Sequence, residues 1–210
     1  MTDTVIKLDV PERIPILFPL GEQLIDGATV KPLSFQGFVE CVNKAVDMTV
    51  PTTFEARLKR CRMLRQVTFY IGNTVVQVGD VDLLRLPIAA ARVLLAKLDA
   101  FDSPVGKIIR RGDGISTAIV FELGTPIPLG QGKSPIKELE FAASTYGDVE
   151  DVLSATNRIQ QALMLISTIA KPLGTSLVQL PSWAVNQISS ADGFAISNEV
   201  VPIFLESPDE

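Results

Sequence analysis

The chain contains no histidine. That absence removes the commonest general base, the usual zinc ligand and every nucleophile that depends on an imidazole. Cysteine is nearly as scarce. Cys41 and Cys61 are the only two, too few for a disulfide framework and not at metal-site spacing. They read as buried thiols of a reducing compartment. Long apolar runs are missing as well: Leu86–Ala96 is interrupted by Arg92 and falls far short of the roughly 20 apolar residues of a membrane span. The opening MTDTVIKLDVPER has no basic start followed by an apolar block and does not read as a signal peptide. The expectation is a chain made in the cytoplasm and not inserted in a membrane. Positive charge is in deficit, with 19 Lys and Arg against 24 Asp and Glu and a net charge of −5. A general nucleic-acid binder carries the opposite balance.

What the chain does have is a core and an echo. Hydrophobic residues make up 47% and charged ones 20% of the 210, a globular composition sufficient for one large domain or two small ones. ILFPLG, Ile16–Gly21, returns as IVFELG, Ile119–Gly124. VKPLSF (Val30–Phe35) is answered by IKELEF (Ile136–Phe141), RLKRCRML (Arg57–Leu64) by RIQQALML (Arg158–Leu165), and GNTVVQV (Gly72–Val78) by GTSLVQL (Gly174–Leu180). The pairs keep their order at offsets close to a hundred residues, which reads as a tandem duplication. Copy one spans about 14–98 and copy two about 117–205. The expected organisation is therefore a first unit over 1–101, a linker over 102–116 and a second unit over 117–210.

Each copy opens with apolar residues at alternate positions, Ile16, Phe18 and Leu20 or Ile119, Phe121 and Leu123, the period of a half-buried strand. A turn follows, DGAT (Asp26–Thr29) or GQGKSP (Gly130–Pro135), and then a second alternating run ending at Phe35 or Phe141. After this hairpin the period changes. Val149, Val152, Ile159, Leu163 and Ile166 follow helical spacing in copy two, with Asp148 as the predicted N-cap. Pro51 splits the equivalent stretch of copy one. The predicted fold is α+β: a β-hairpin with two or three helices, written twice. Phe18 should then coincide with Phe121, Phe35 with Phe141 and Leu64 with Leu165, each buried in its own copy.

Three motifs invite chemistry. GQGKS, Gly130–Ser134, resembles the end of a phosphate loop, but Ile127 stands where that motif needs glycine and a strand, not a helix, follows. It reads as a hairpin tip. The acidic pairs in GDVDLL (Gly79–Leu84) and GDVEDVL (Gly147–Leu153) precede helical patterns, and capping accounts for them. The basic run RLKRCRMLR has a functional alternative to a solvated face. Arg57, Lys59, Arg60, Arg62 and Arg65 would line one helix of an otherwise acidic protein, as a docking face for an acidic partner or a neighbouring subunit. Trp183, the only tryptophan, fills either a core position or a partner groove. No catalytic, cofactor-binding or metal-binding residue can be named, and no cofactor is expected.

FELGTPIPLGQGKSPIKELEFAASTYGDVEDVL, Phe121–Leu153, resembles the opening of the tail assembly chaperones of Mu-like and P2-like bacteriophages. The likeness rests on Thr125-Pro126-Ile127 leading into a glycine-containing turn, the I-x-E-L pattern of Ile136–Leu139, and Gly147-Asp148 before a helix. It continues through PLGTSLVQLPSWAVNQI and covers about 118–196, while copy one shares only the hairpin phrases. The resemblance implies a non-enzymatic morphogenesis protein that coats the helical tape-measure protein in the host cytoplasm. The alternative is a permanent structural subunit of the tail or baseplate, for which duplication with diverged surfaces is an argument. Either way the implied partners are phage tail proteins, namely the tape-measure protein or neighbouring tail or baseplate subunits, in an oligomer or larger assembly.

Overall fold

In the computed structural model, which describes residues 12–112, 118–130, 132–143 and 145–205, the alternation at Ile14, Ile16 and Phe18 does produce a strand. That strand, β1 (Ile14–Leu20), turns at once into β2 (Gln23–Val30). Gly21 makes the reversal possible, because its φ of 59° lies in the left-handed region that side chains avoid. The turn expected at DGAT is therefore misplaced. Asp26–Thr29 lies inside β2, where the Asp26 carboxylate is exposed and accepts a hydrogen bond from the Gly72 N–H at 3.1 Å. The second strand ends before Pro32, which has no N–H to donate to a ladder.

The chain divides into two compact units, Met1–Pro32 with Met48–Asp99, and Leu33–Asp47 with Ala100–Glu210. The first contains β1, β2, β3 (Val67–Ile71) and β4 (Thr74–Val76), antiparallel in that order. Its inner face buries Ile14, Ile16, Phe18, Ile25 and Phe69, with the Phe18 and Phe69 rings 6.3 Å apart between centroids. Among the described residues of this unit are the helices α2 (Phe54–Gln66), α3 (Asp80–Leu83) and α4 (Ile88–Ala100, whose last residue falls in the second). Helix α2 gives way at Val67 to β3, which β-branched Val67 and Thr68 suit. Pro15 and Pro19 on β1 blunt that edge against pairing with another chain.

The second unit also holds a four-stranded antiparallel sheet, but its extra strand precedes the hairpin and pairs with the opposite edge. β5 (Lys107–Arg111), β6 (Ile119–Ile127), β7 (Ile136–Phe141) and β8 (Ala170–Pro172) pair antiparallel in that order. The predicted linker thus contains an edge strand, because Ile108 and Ile109 between cations have the β propensity to extend the sheet. Ile119, Phe121, Leu123, Leu139 and Phe141 are buried in one cluster with Val152, Leu165 and Ile166. On the opposite face the register sets Lys107, Glu122 and Glu138 in one row and Arg110, Val120, Glu140 and Lys171 in another, so that face is dominated by charge. The single long helix expected here is two, α5 (Tyr146–Ser154) and α6 (Arg158–Thr168). Asn157 explains the break: its side chain accepts from the Gln160 N–H at 3.0 Å and starts a new helix. Asp148 is not the N-cap but lies one turn in, accepting from the Thr145 N–H at 2.8 Å. Both copies thus run strand, strand, helix, helix, strand.

The correspondence fails at Phe35. Leu33 and Phe35 are two residues apart, as on one face of a strand, yet Phe35 opens helix α1 (Phe35–Asp47), whereas Phe141 ends strand β7. Moreover α1 belongs to the second unit, although it comes from copy one. Phe35 and Val39 are part of that unit's buried cluster, and the Phe35 ring lies where a Cβ on Gly193 would be, 2.0 Å from it. Two backbone bonds hold the entry to α1: Phe35 N–H to the Ile188 carbonyl at 2.8 Å and Ser190 N–H to the Leu33 carbonyl at 3.1 Å. Phe18 and Phe121 do occupy matching first strands of their hairpins, both fully buried. Leu64 and Leu165 occupy matching helices, α2 and α6, but only Leu165 is fully buried.

The second unit closes with α7 (Ser182–Val185), α8 (Ser190–Ala195), a π-helical turn over Ile196–Val200 and α9 (Val201–Leu205). Asp192 in α8 has no exposed surface, and its carboxylate is a knot. Oδ1 accepts from the N–H groups of Gly106 and Gly124, each at 2.8 Å, and Oδ2 from Thr125 N–H at 3.2 Å and Ser189 Oγ at 2.8 Å. One side chain thereby joins the approach to β5, the bend in β6 and the start of α8.

Candidate partner-binding surface

The five cations of α2 are the first candidates, and four of them are used within their own unit. Arg57 donates from Nη1 to the Met48 carbonyl, and Lys59 pairs with Glu55 one turn back at 2.7 Å. Arg60, its side chain only 12% exposed, reaches Asp80 at the start of α3 at 3.1 Å. Arg62 donates to the Gln66 side chain at 3.2 Å and to the Leu98 carbonyl at 3.5 Å, near the negative end of α4. Arg65, exposed in the last turn, is engaged as well. The run is thus a brace: it ties α2 to the segment before it, to α3 and to α4. Hydrogen bonding to Lys59, and then the charge of its ammonium, lowers the Glu55 pKa below the ordinary value, and Glu55 raises that of Lys59. This i,i+4 pair is fully exposed and contributes little to stability.

Trp183 lies in the second unit, in a four-residue helix that follows Pro181. Ala184 and Val185 of that helix turn inward and are buried, which leaves the indole 45% exposed. The core alternative for Trp183 is thereby ruled out. The N–H groups of Ala184 and Val185 both bond the Pro181 carbonyl, at 2.8 and 3.1 Å, and hold the turn rigid. Beside it opens a cleft of about 340 Å³, lined by Ser167 of α6, Gln179, Leu180, Pro181, Ser182, Val185 and Asn186. Leu180 anchors the incoming segment, buried and donating from its N–H to the Ala170 carbonyl at 3.4 Å. Val178, 85% exposed, lies on the same segment.

The chemistry of this lining is narrow. It has apolar walls, two carboxamides and two hydroxyls, and no titratable side chain. Nothing in it can act as a general acid or base, or activate a serine. It can accept an apolar side chain and hydrogen-bond a peptide or neutral polar group beside it.

Comparison with protein-family models, curated proteins and solved structures finds no match.

Among the described residues no cluster of three or more His, Cys, Asp or Glu could hold a metal ion, and no helix is long and apolar enough to cross a membrane. Gly130 and Gly132, at φ 91° and 76°, shape the connection between β6 and β7, so GQGKS leads into a strand and has no helix N-terminus to offer a phosphate. The cleft residues Ser167, Gln179 and Asn186 escaped the sequence reading. Amides and hydroxyls add nothing to an apolar period, whether in a loop like Gln179 or on a helix like Ser167, and only Trp183 marks the neighbourhood.

Proposed function

We propose that this chain is a non-enzymatic component of bacteriophage tail assembly, a chaperone that holds helical segments of the tape-measure protein in the host cytoplasm. The observation that carries the reading is the uncharged cleft beside Trp183. It lies within the residues that resemble the chaperone family, and a surface meant to hold many similar helices favours apolar contact with neutral hydrogen bonding over any one charge pattern. Leu180, Pro181 and Val185 provide its apolar walls, and Trp183 and Val178 are exposed on the adjoining segments. Co-expression with the tape-measure protein should give a complex, and Trp183→Ala should weaken it about tenfold or more, as for a tryptophan at the centre of an interface. Purified virions should contain none of the chain; stoichiometric presence by mass spectrometry would overturn the chaperone role.

That outcome would instead favour a subunit that stays in the tail or baseplate. One observation points that way. Helix α2 carries five cations, whereas its counterpart α6 has only Arg158. Unlike surfaces on duplicated units suit fixed neighbours.

A further inference from the structure

Helix α4 is apolar on both sides. Ten of its thirteen residues are Ala, Ile, Leu or Val, yet only Ala90, Leu94 and Leu98, spaced four apart, are buried. The far side exposes Ile88 at 72% and Val93 at 45%, and Leu84 just before the helix is 65% exposed. A helix apolar all round is ordinarily covered all round. Two guanidiniums belong to this side, Arg85 next to Leu84 and Arg92 between Ile88, one turn before it, and Val93. Unlike the cations of α2, neither has an ion pair or side-chain hydrogen bond among the described residues.

The chain itself carries the complement. The first unit has eleven Lys and Arg against nine Asp and Glu, net +2, while the second has eight against fifteen, net −7. In that second unit, helix α5 exposes Glu150 and Asp151 beside Leu153, itself 40% exposed. α5 has no basic residue. Both surfaces are exposed within a single chain.

We propose that the outer face of α4 docks the acidic α5 face of a second copy. Leu84, Ile88 and Val93 receive Leu153, and Arg85 and Arg92 meet Glu150 and Asp151. The contact joins unlike surfaces, so it is heterologous: each copy keeps one free donor and one free acceptor face, and copies add head to tail into a ring or an open row. It concerns the chain alone, and it stands whether or not a tape-measure protein is its partner.

Sedimentation equilibrium of the purified full chain tests this. The weight-average mass should rise with concentration above 22.7 kDa, and it should fall back as salt is raised toward 1 M, where the screening length is about 3 Å. Arg85→Glu with Arg92→Glu should weaken association at least about tenfold by setting acid against acid. Glu150→Arg with Asp151→Arg should do the same. A chain with all four reversals should associate again, because the swapped charges meet once more. Circular dichroism and the urea midpoint of each variant confirm folding, which exposed substitutions leave intact. A mass fixed at one chain up to about 1 mM, the weak limit of specific association, would overturn the proposal. So would variants that associate like the parent, or a fourfold reversal that fails to restore association.

Discussion

Replacing Asp192 should unfold the second unit more readily than any other single polar substitution, and the geometry sets the size of the loss. Its carboxylate accepts four hydrogen bonds, three of them from backbone N–H groups at 2.8, 2.8 and 3.2 Å, and among the described residues no cation shares the work. Asp192→Ala leaves the N–H groups of Gly106, Gly124 and Thr125 without that acceptor, the first in a buried position and the other two in part-buried ones. Each orphaned buried group costs about 1–3 kcal/mol, offset in part because the carboxylate no longer has to be desolvated. The expected net loss is about 3–5 kcal/mol. Asp192→Asn is a finer probe. The amide oxygen can keep the Gly106 and Gly124 bonds, but the NH2 group then opposes the Thr125 N–H, and a loss of about 2–3 kcal/mol is expected. Urea unfolding followed by the fluorescence of Trp183, which belongs to the same unit, measures both losses from the midpoint and slope. If Asp192→Ala costs less than about 1 kcal/mol, the knot does not hold the unit together and the reasoning fails.

Other outcomes follow from the same packing. Phe18→Ala and Phe121→Ala should each cost about 3–5 kcal/mol by urea unfolding, since both rings are fully buried in matching strands. Gly193→Ala places a methyl group 2.0 Å from the Phe35 ring and should cost at least about 2 kcal/mol; combined with Phe35→Leu the losses should fall well short of additive, the mark of one shared contact. Glu55 should titrate below the ordinary 4.5 in an NMR pH series and return to it in Lys59→Gln. Because its folded pKa is lowered, its small contribution is present above 4.5 and is lost as pH falls through the folded value. Lys59 has the opposite sign, its contribution present below 10.5 and lost as pH rises through the raised value.

The strands at Ile14–Leu20 and Ile119–Ile127 were legible because alternation of apolar residues is a local property. The two-helix pattern of copy one was legible from Pro51. The break at Asn157 was not, since Asn caps a helix as readily as it sits within one and only the Gln160 bond distinguishes the two. The basic run was visible as charge, but Asp80 and Leu98, which absorb it, lie 20 and 36 residues further along the chain. Asp192 was passed over for a related reason. Ser189 and Asp192 have the spacing of a helix cap, and nothing local shows that the carboxylate also collects N–H groups from 67 to 86 residues away.

The sequence by itself determined the α+β class, the first strand of each hairpin, and the absence of imidazole chemistry. These depend on composition and on periodicity within a few residues. Only the tertiary structure decided where Phe35 belongs. Apolar spacing makes a residue want burial but does not say against what, and the chain met that demand by setting α1 of the first copy in the core of the second unit, over Gly193. The exposed side of α4 was decided the same way. Ten of its thirteen residues are apolar, so no period could tell which stripe the fold would cover and which it would leave to another surface.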